Sequence, residues 1–513
     1  MYKYVCFPNG LAFCPRKFTK LLKPVYSQSS WGTFQQVIII GDSYLQGDDC
    51  DECEKNVRDT VKLFDSLGFT VQPEKSSFVP QHQITFMGFI IDSITMTTSE
   101  KIEKIEKIIH TCQGLLECPH PTVREVASTL GLLISNFPAA KLGPVHFRSL
   151  DMDKTEALRL NKGNFDAFMQ LSELSRSDLQ WWINSARSLH NPISLPQPEV
   201  TLYTDASIEG WGGVLNNVKI GGHWTPEEAY NHINYLEMLA VLFSLKAFHK
   251  ELSRSYQGID NTTAVSDLGK MGTSHFKKRN DLTRTLWEWC LDNNMWLTIS
   301  HIPGKENTLA DAESRKSRKE TEWTLDRGIF HEAVKKIHLE PQIDLFACRL
   351  NYQLSPFVAY QPDPEAMAIN AFSISWKLYV FYAFPPFSII PKVLQKIQAE
   401  KATGLLVVPC WPTQPWWPLV MRLLVQEPLV LPKKKHTLFL HRRPDLVHPL
   451  HQKLALLICH LSGNHLKAEA FRNRLPHSSC SPGERAPNNN INHSSLNGNS
   501  TVVKGRLILF QQL

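Results

Sequence analysis

The chain has 513 residues, 42% of them hydrophobic and 20% charged, with a net charge of +6. The length is too great for one ordinary core and predicts about three domains, and the balance of residue types is that of a globular protein. No apolar run approaches the roughly 20 residues of a membrane span, the N-terminus has no signal-peptide pattern, and 11 scattered Cys make no disulfide framework. These features exclude a membrane protein and predict free thiols in an intracellular, non-secreted protein. The mild positive charge permits a nucleic-acid partner without demonstrating one. There is no internal repeat.

Residues 1–95 read as a piece of something longer. Pro8-Asn9-Gly10 predicts a turn, and a helix-like stretch follows with Arg16, Lys17 and Lys20. The β-branched run from Gln36 to Ile40 predicts a buried strand, ended by a tight turn at Gly41-Asp42-Ser43. A helix is expected from Cys53 to Leu67, then Gly68 to Val71, Pro73-Glu74-Lys75-Ser76, and a strand pair over ITFMGFIID. Cys50 and Cys53 have CxxC spacing, but no second pair lies at a zinc-ribbon distance, so the pair is read as incidental.

Residues 96–190 are helical in pattern. Between Lys101 and Ile109 apolar residues recur at i, i+3, i+6 and i+7, with charges on the other face. Thr122 before Val123-Arg124-Glu125 predicts an N-terminal cap. A plain helical spacer fits this region as well, since no chemistry is visible in it. The Pro-rich break from Asn191 to Glu199 predicts a linker.

Residues 200–318 carry the chemistry. Strands are expected at Thr201–Asp205, Gly212–Asn216 and Ile220–Trp224, joined by Gly- and Asn-rich turns. An apolar helix follows, then Gly258-Ile259-Asp260-Asn261-Thr262, a strand from Trp296 to Ile302, and a helix opened by Asn307-Thr308. Four acids stand in locally odd settings. Asp205 ends an alternating apolar run, Glu237 sits inside the apolar helix, Asp260 follows a short apolar approach, and Asp311 lies on the last helix. Carboxylates are rarely buried without a partner. Each alone is as well explained as a cap or half of an ion pair. Four on consecutive core elements point to a shared hard cation, Mg²⁺ or Mn²⁺, and a pair of such ions can clamp a phosphodiester. Lys277-Lys278-Arg279 and the basic run from Arg315 to Lys319 would suit phosphate contacts. A solvated helix face explains each cluster equally well.

The order of these segments resembles a ribonuclease H domain of the retroelement type. TDAS with a following Gly-Trp-Gly-Gly and HIPGKENTLADAESR are the specific matches. The resemblance implies a mixed sheet with flanking helices. It places the family's four metal-binding acids on Asp205, Glu237, Asp260 and Asp311, with two Mg²⁺ (or Mn²⁺) ions, and the family's loop histidine on His301, a proton carrier suited to neutral pH. The implied reaction is cleavage of the RNA strand of an RNA–DNA hybrid.

Residues 1–95 resemble the second half of a reverse-transcriptase palm. PNGLAFCPRKF matches its template-contacting segment, Ile38 to Tyr44 its catalytic hairpin, and GFTVQPEKSSF with ITFMGFIID the segments beyond. This implies nucleic-acid contacts by Arg16 and Lys75 and a thumb and connection over 96–190. The wording is similar to DIRS-like, tyrosine-recombinase-type retrotransposons. Two departures matter. Ile39 stands where the family has Tyr, and Gly41 where it has the first Asp, leaving Asp42. The upstream strand with another metal-binding Asp is not in the sequence. A polymerase site that has lost two of three ligands is expected to be inactive.

Residues 322–430 are rich in aromatics. Asp344-Leu345-Phe346-Ala347 and Phe384-Pro385-Pro386-Phe387 resemble the cofactor and base loops of the adenine methyltransferase-like region of such elements. Phe384 replaces the polar residue expected to hold the target amine, and no Gly-rich loop is present, so a folded remnant is expected, with Trp411, Trp416 and Trp417 as a stacking platform or as core. A helical, His-rich segment is expected over 431–475 and a disordered tail over 476–513. The fold class is thus α/β and α+β multidomain: a partial palm and thumb followed by a ribonuclease H-like sheet. Expected partners are an RNA–DNA hybrid and other proteins of the element, with no membrane. The alternative is a non-catalytic nucleic-acid-binding relic.

Overall fold

The computed structural model describes residues 17, 20–22, 36–39, 42–194, 200–249, 255–259, 262–273, 276–316, 323–441, 445–477 and 500–513. The chain divides into two units: Met1–Gln197 with Lys270–Asn280, and Pro198–Gly269 with Asp281–Leu513. Both mix helices and sheets, as a multidomain α/β and α+β protein does.

In the first unit, β1 (Gln36–Ile39) and β2 (Asp42–Leu45) form an antiparallel hairpin with Ile39 opposite Asp42. Helix α1 (Cys50–Ser66) is capped by the Asp49 side chain, and Cys50 and Cys53 lie on it as free thiols. An antiparallel sheet follows from β3 (Gln83–Phe86), β4 (Phe89–Asp92) and β5 (Thr97–Glu100). Four helices then pack together: α2 (Ile102–Glu117), α3 (Val123–Ile134), α4 (Arg148–Leu160) and α5 (Glu173–Ser185). Helix α2 buries Ile105, Ile108, Ile109, Cys112 and Leu115, one amphipathic stripe. Thr122 and Glu125 form a reciprocal capping box at the start of α3. Trp182 is fully buried, its indole N–H donating to the His146 carbonyl at 2.8 Å. The chain then adds β6 (His190–Pro192) beside β5. The expected linker is corrected here: its first two residues, Asn191 and Pro192, belong to a strand, because the open edge of β5 supplies partners for their backbone.

The second unit holds two modules. In the first, β7 (Val200–Ala206), β8 (Gly210–Leu215) and β9 (Val218–His223) form an antiparallel meander. A short α6 (Pro226–Ala229) and α7 (Ile233–Ala247) follow. Next come β10 (Ser255–Ile259), α8 (Thr262–Gly269), α9 (Lys277–Asp292, which spans the division between units), β11 (Leu297–His301) and α10 (Thr308–Ser314). Strands β10 and β11 join parallel to β7, giving the order β11-β10-β7-β8-β9. Helix α7 is buried from Leu236 through Leu245, so it is enclosed on every side, with Glu237 and Ser244 among its otherwise apolar residues.

The second module begins with β12 (Thr324–Leu325), α11 (Arg327–Ile337), β13 (Ile343–Asp344), β14 (Val358–Ala359), β15 (Ala368–Ile369) and β16 (Val380–Ala383). It continues through α12 (Ile390–Glu400), β17 (Thr403–Pro409), α13 (Trp417–Leu423), β18 (Leu429–Val430) and β19 (Leu438–Phe439). It ends with β20 (Leu456–Ser462), α14 (His465–Arg474), β21 (Ser500–Val503), β22 (Arg506–Leu509) and β23 (Gln511–Gln512). A six-stranded sheet, β13-β16-β17-β20-β18-β23, runs through it. Leu406 and Val408 of β17 face one apolar cluster, and Leu405 and Val407 face another. The sheet is therefore covered on both sides.

Two expectations are corrected in this module, and one open alternative is decided. The stretch read as helical up to Ser462 contains β20, which pairs along all seven residues of β17. A strand buried on both faces is a continuous apolar run, and periodicity cannot separate it from a helix. Residues 500–513 are strands rather than disordered tail, with β23 parallel to β18. Trp416 and Trp417 are 7% and 5% exposed and belong to the core, not to a stacking platform.

Arg349 joins the two modules. Its guanidinium, 6% exposed, donates to Glu228 Oε1 and to the His223 carbonyl, both at 2.8 Å, and lies 4.6 Å from the Phe243 ring centroid. Removing one side of a buried ion pair strands the other. Arg349→Ala is expected to lower unfolding free energy by about 3 kcal/mol, with Arg349→Met losing less, as read by chemical denaturation.

Candidate active site

Asp205 is the sixth of seven residues of β7 and is 4% exposed. It pairs with Gly212 of β8, so both face the same side of the sheet. Helix α10 lies against that side. A Cβ on Gly212 would stand 2.4 Å from the Ala310 carbonyl oxygen and 2.7 Å from the Ser314 nitrogen, both helix backbone. Only a residue without a side chain lets α10 come so close. The next residue, Gly213, faces the opposite side, where a Cβ would meet Ser244 Oγ of α7 at 2.4 Å. Two adjacent glycines thus seat two helices on the two faces of one strand.

Side-chain bonds fix α10 over the end of β7. Ser314 Oγ donates to Asp205 Oδ2, and the Asn307 amide donates to the Thr204 carbonyl at 2.9 Å. Ser207 Oγ donates to the Ser314 carbonyl at 2.7 Å. Asp311 sits in the first turn of α10 with its side chain 41% exposed, paired with Arg315 Nε at 2.6 Å. Glu237 is on α7 and 4% exposed, a carboxylate among apolar neighbours. Thr204, Ile259 and His301 are in register across β7, β10 and β11. His301 therefore sits at the same sheet end as Asp205, two strands and roughly 10 Å away, with its side chain exposed.

Asp260, Gly41 and Arg16 lie outside the described residues. Asp42 opens β2. Lys277, Lys278 and Arg279 start α9 and belong to the first unit, as does Lys75 in a short turn at Pro73–Lys75. Arg279 stacks 4.1 Å over Phe276. The structure thus brings Asp205 and α10 together, and buries Glu237 on α7, the helix on the other face of β8. The donor set is all carboxylate oxygen, which fits a hard divalent cation. Among the described residues no three His, Cys, Asp or Glu side chains form a metal-holding group.

The sequence marks Asn307 only as a helix opener and does not single out Ser314 or Ser207. Asn307 and Ser314 sit inside the same motif as Asp311, but their partners lie about a hundred residues earlier.

No family model matches the chain. Over 147 residues it is 31% identical to the enzymatic polyprotein of cauliflower mosaic virus (strain Strasbourg), covering 26% of this chain and 21% of that protein. Over 143 residues it is 31% identical to the same polyprotein of strain D/H, covering 25% and 20%. The chain spans about a fifth of the length of these relatives. It is similar to part of a viral enzymatic polyprotein. Among solved structures, a foamy viral protease-reverse transcriptase in complex with an RNA/DNA hybrid is 16% identical, covering 63% of this chain and 42% of that one, with a TM-score of 0.32. Ribonuclease H1 from Halobacterium salinarum NRC-1 is 21% identical, covering 22% and 92%, with a TM-score of 0.17. No helix among the described residues is long and apolar enough to cross a membrane.

The Gly212 approach is directly testable. Gly212→Ala is expected to cost about 1–3 kcal/mol of stability through overpacking against helix backbone. Gly269→Ala, where no atom lies within 4 Å of an added Cβ, is expected to stay near wild type in the same denaturation experiment.

Proposed function

We propose that the chain is a fragment of a retroelement polyprotein, of DIRS-like type, whose working part is a metal-dependent ribonuclease H. On this reading residues 200–318 cleave the RNA strand of an RNA–DNA hybrid. Residues 1–95 and 96–190 are a palm remnant with its thumb and connection, and 322–430 is a remnant of a methyltransferase-like region. The observation that carries the reading is the buried Asp205 at the end of β7, with the Asp311 helix pinned across it by Ser314 and Asn307.

Asp205, Glu237, Asp260 and Asp311 would hold two Mg²⁺ or Mn²⁺ ions. Such ions supply charge for a scissile phosphate and lower the pKa of a bound water. Asp205 and Glu237, both buried, would give fixed donors, and Asp311, now paired with Arg315 at 2.6 Å, would have to leave that partner to hold a metal. His301, exposed at the same sheet end, carries a proton to or from bulk water. Lys75, Lys277, Lys278, Arg279 and Arg16 would meet phosphates of the hybrid, and other proteins of the element would supply what this chain lacks. Polymerisation is not part of the reading, because Ile39 and Gly41 replace the aromatic and acidic residues of the palm hairpin and leave Asp42.

The test is cleavage of a labelled hybrid by the full chain with Mg²⁺ and with EDTA. Metal-dependent cutting is expected, reduced on the order of 10²–10⁴-fold by Asp205→Asn or Asp311→Asn. A folded chain that does not cut, or cuts equally well as either variant, sinks the nuclease and leaves a hybrid-binding relic. In the same preparation no template-directed nucleotide incorporation is expected. Incorporation abolished by Asp42→Ala would overturn that part.

A further inference from the structure

The net charge of the chain is concentrated in one short segment of the second module. From Lys433 to Lys453 the sequence holds six Lys or Arg against one acid, Asp445, an excess of five in a chain whose net charge is +6. The segment follows β18 and contains β19. Arg442 and Arg443 lie outside the described residues. Lys433, Lys434 and Lys435 are exposed and, among the described residues, make no ion pair. Elsewhere in the module Lys396 pairs with Glu400 at 2.6 Å. A surface that only faces water intersperses both signs, because neighbouring like charges repel. Three adjacent lysines with no acid beside them leave that repulsion in place until an anion arrives.

The turn that bears these lysines is fixed. Thr437, 8% exposed, donates its hydroxyl to the Pro432 carbonyl at 2.6 Å and accepts from the Lys434 N–H at 3.1 Å. Its own N–H donates to the Lys434 carbonyl at 3.2 Å. Leu431 and Leu438, on either side, are buried in the apolar cluster below the sheet and anchor both ends. The backbone is therefore ordered before a ligand arrives, which lowers the entropy lost on binding.

Beside the turn is a hollow of about 20 Å³, bordered by the three lysines, Thr437, His448 and His451. That is room for about one oxygen atom. Backbone groups hold both rings. His448 Nδ1 accepts from the Leu450 N–H at 3.1 Å, and burial keeps this histidine below its usual range, so near pH 7 its hydrogen is on Nε2. His451 Nδ1 donates to the His448 carbonyl at 3.1 Å. Among the described residues that border the hollow none is a carboxylate. Lysines and N–H donors around an oxygen-sized space are the means by which proteins hold phosphate.

The arrangement also indicates what kind of phosphate. Three adjacent lysines exceed the charge of a single phosphate and suit a row of them. Trp323 packs edge-on against His448 at 4.5 Å, so its ring is committed to that contact and not to a base. We propose that the Lys433–Lys435 turn binds the phosphate backbone of a nucleic-acid strand, without regard to sequence, and seats one phosphate oxygen in the hollow beside His448. This rests on the nucleic-acid part of the function proposed above and not on hydrolysis.

Binding of a labelled RNA–DNA hybrid and of a labelled single strand to the full chain is measured by fluorescence anisotropy in EDTA, from about 50 to 200 mM salt. Replacing the three lysines together (Lys433→Gln, Lys434→Gln, Lys435→Gln) is expected to weaken binding about tenfold at low salt and to lower the slope of log K against log salt by about 2–3. Replacing Lys335, Lys377 and Lys467, exposed elsewhere in the module, by Gln removes the same charge and is expected to change the slope by less than about 1. No binding by the wild type overturns the proposal, as does an unchanged slope in the turn variant or an equal loss in both variants. So does strand binding that the turn variant keeps while millimolar inorganic phosphate raises the melting temperature of the wild type alone, which assigns the hollow to a free anion. Wild-type binding lost in the turn variant upholds the proposal even where the Mg²⁺ assay shows no cutting. Cutting by a turn variant of wild-type affinity removes the proposal and leaves the nuclease standing.

Discussion

Everything at the candidate active site depends on how closely α10 approaches β8. With a side chain on Gly212, the helix backbone would be displaced. The bonds from Ser314 to Asp205 and from Asn307 to Thr204 would then be lost together, since both hang from the same short helix. A seven-residue helix has little stability of its own. Its position comes from what it touches, and the glycine-bearing strand is the largest part of that. The geometry of two acids is thus set by a residue that carries no functional group.

The same logic applies to the junction with the second module. Arg349 reaches a place where a cation finds a carboxylate, a carbonyl and an aromatic face together. Phe243, beneath it, packs edge-on against Trp211 at 5.6 Å. Glu228 also closes the capping box at the start of α6. One guanidinium therefore touches the start of one helix, the core of another and the end of β9. The two modules share a core boundary rather than meeting as smooth surfaces.

Much of the first module was readable because its signals are local. The alternating run before Asp205, the apolar helix around Glu237 and the cap before Asp311 each declare an element within about ten residues. What could not be read depends on distant partners. Ser314 bonds a residue 109 positions away and Asn307 one 103 away, and nothing near either announces the pairing. Strand β20 reads as helix in the sequence because burial on both faces removes the alternation that marks a strand. Residues 500–513 are too polar in places to read as strands. Gln511 and Gln512 become one only because β18 offers an open edge for their backbone. Trp416 and Trp417 were ambiguous for a similar reason: an aromatic pair in sequence looks alike whether it faces a base or a core.

The placement of β23 also bears on the order of assembly. It completes a sheet whose first strand, β13, begins at Ile343, so that sheet closes only after residue 512 has been synthesised. The sheet that carries Asp205 has its last strand by His301. Domains fold largely as they emerge from the ribosome, and pairings between distant segments form slowly. The first sheet can therefore be complete while the second still has an unpaired edge at β18. During that interval the β18 edge is open to strands from other chains, and β23 is the segment that ends the exposure.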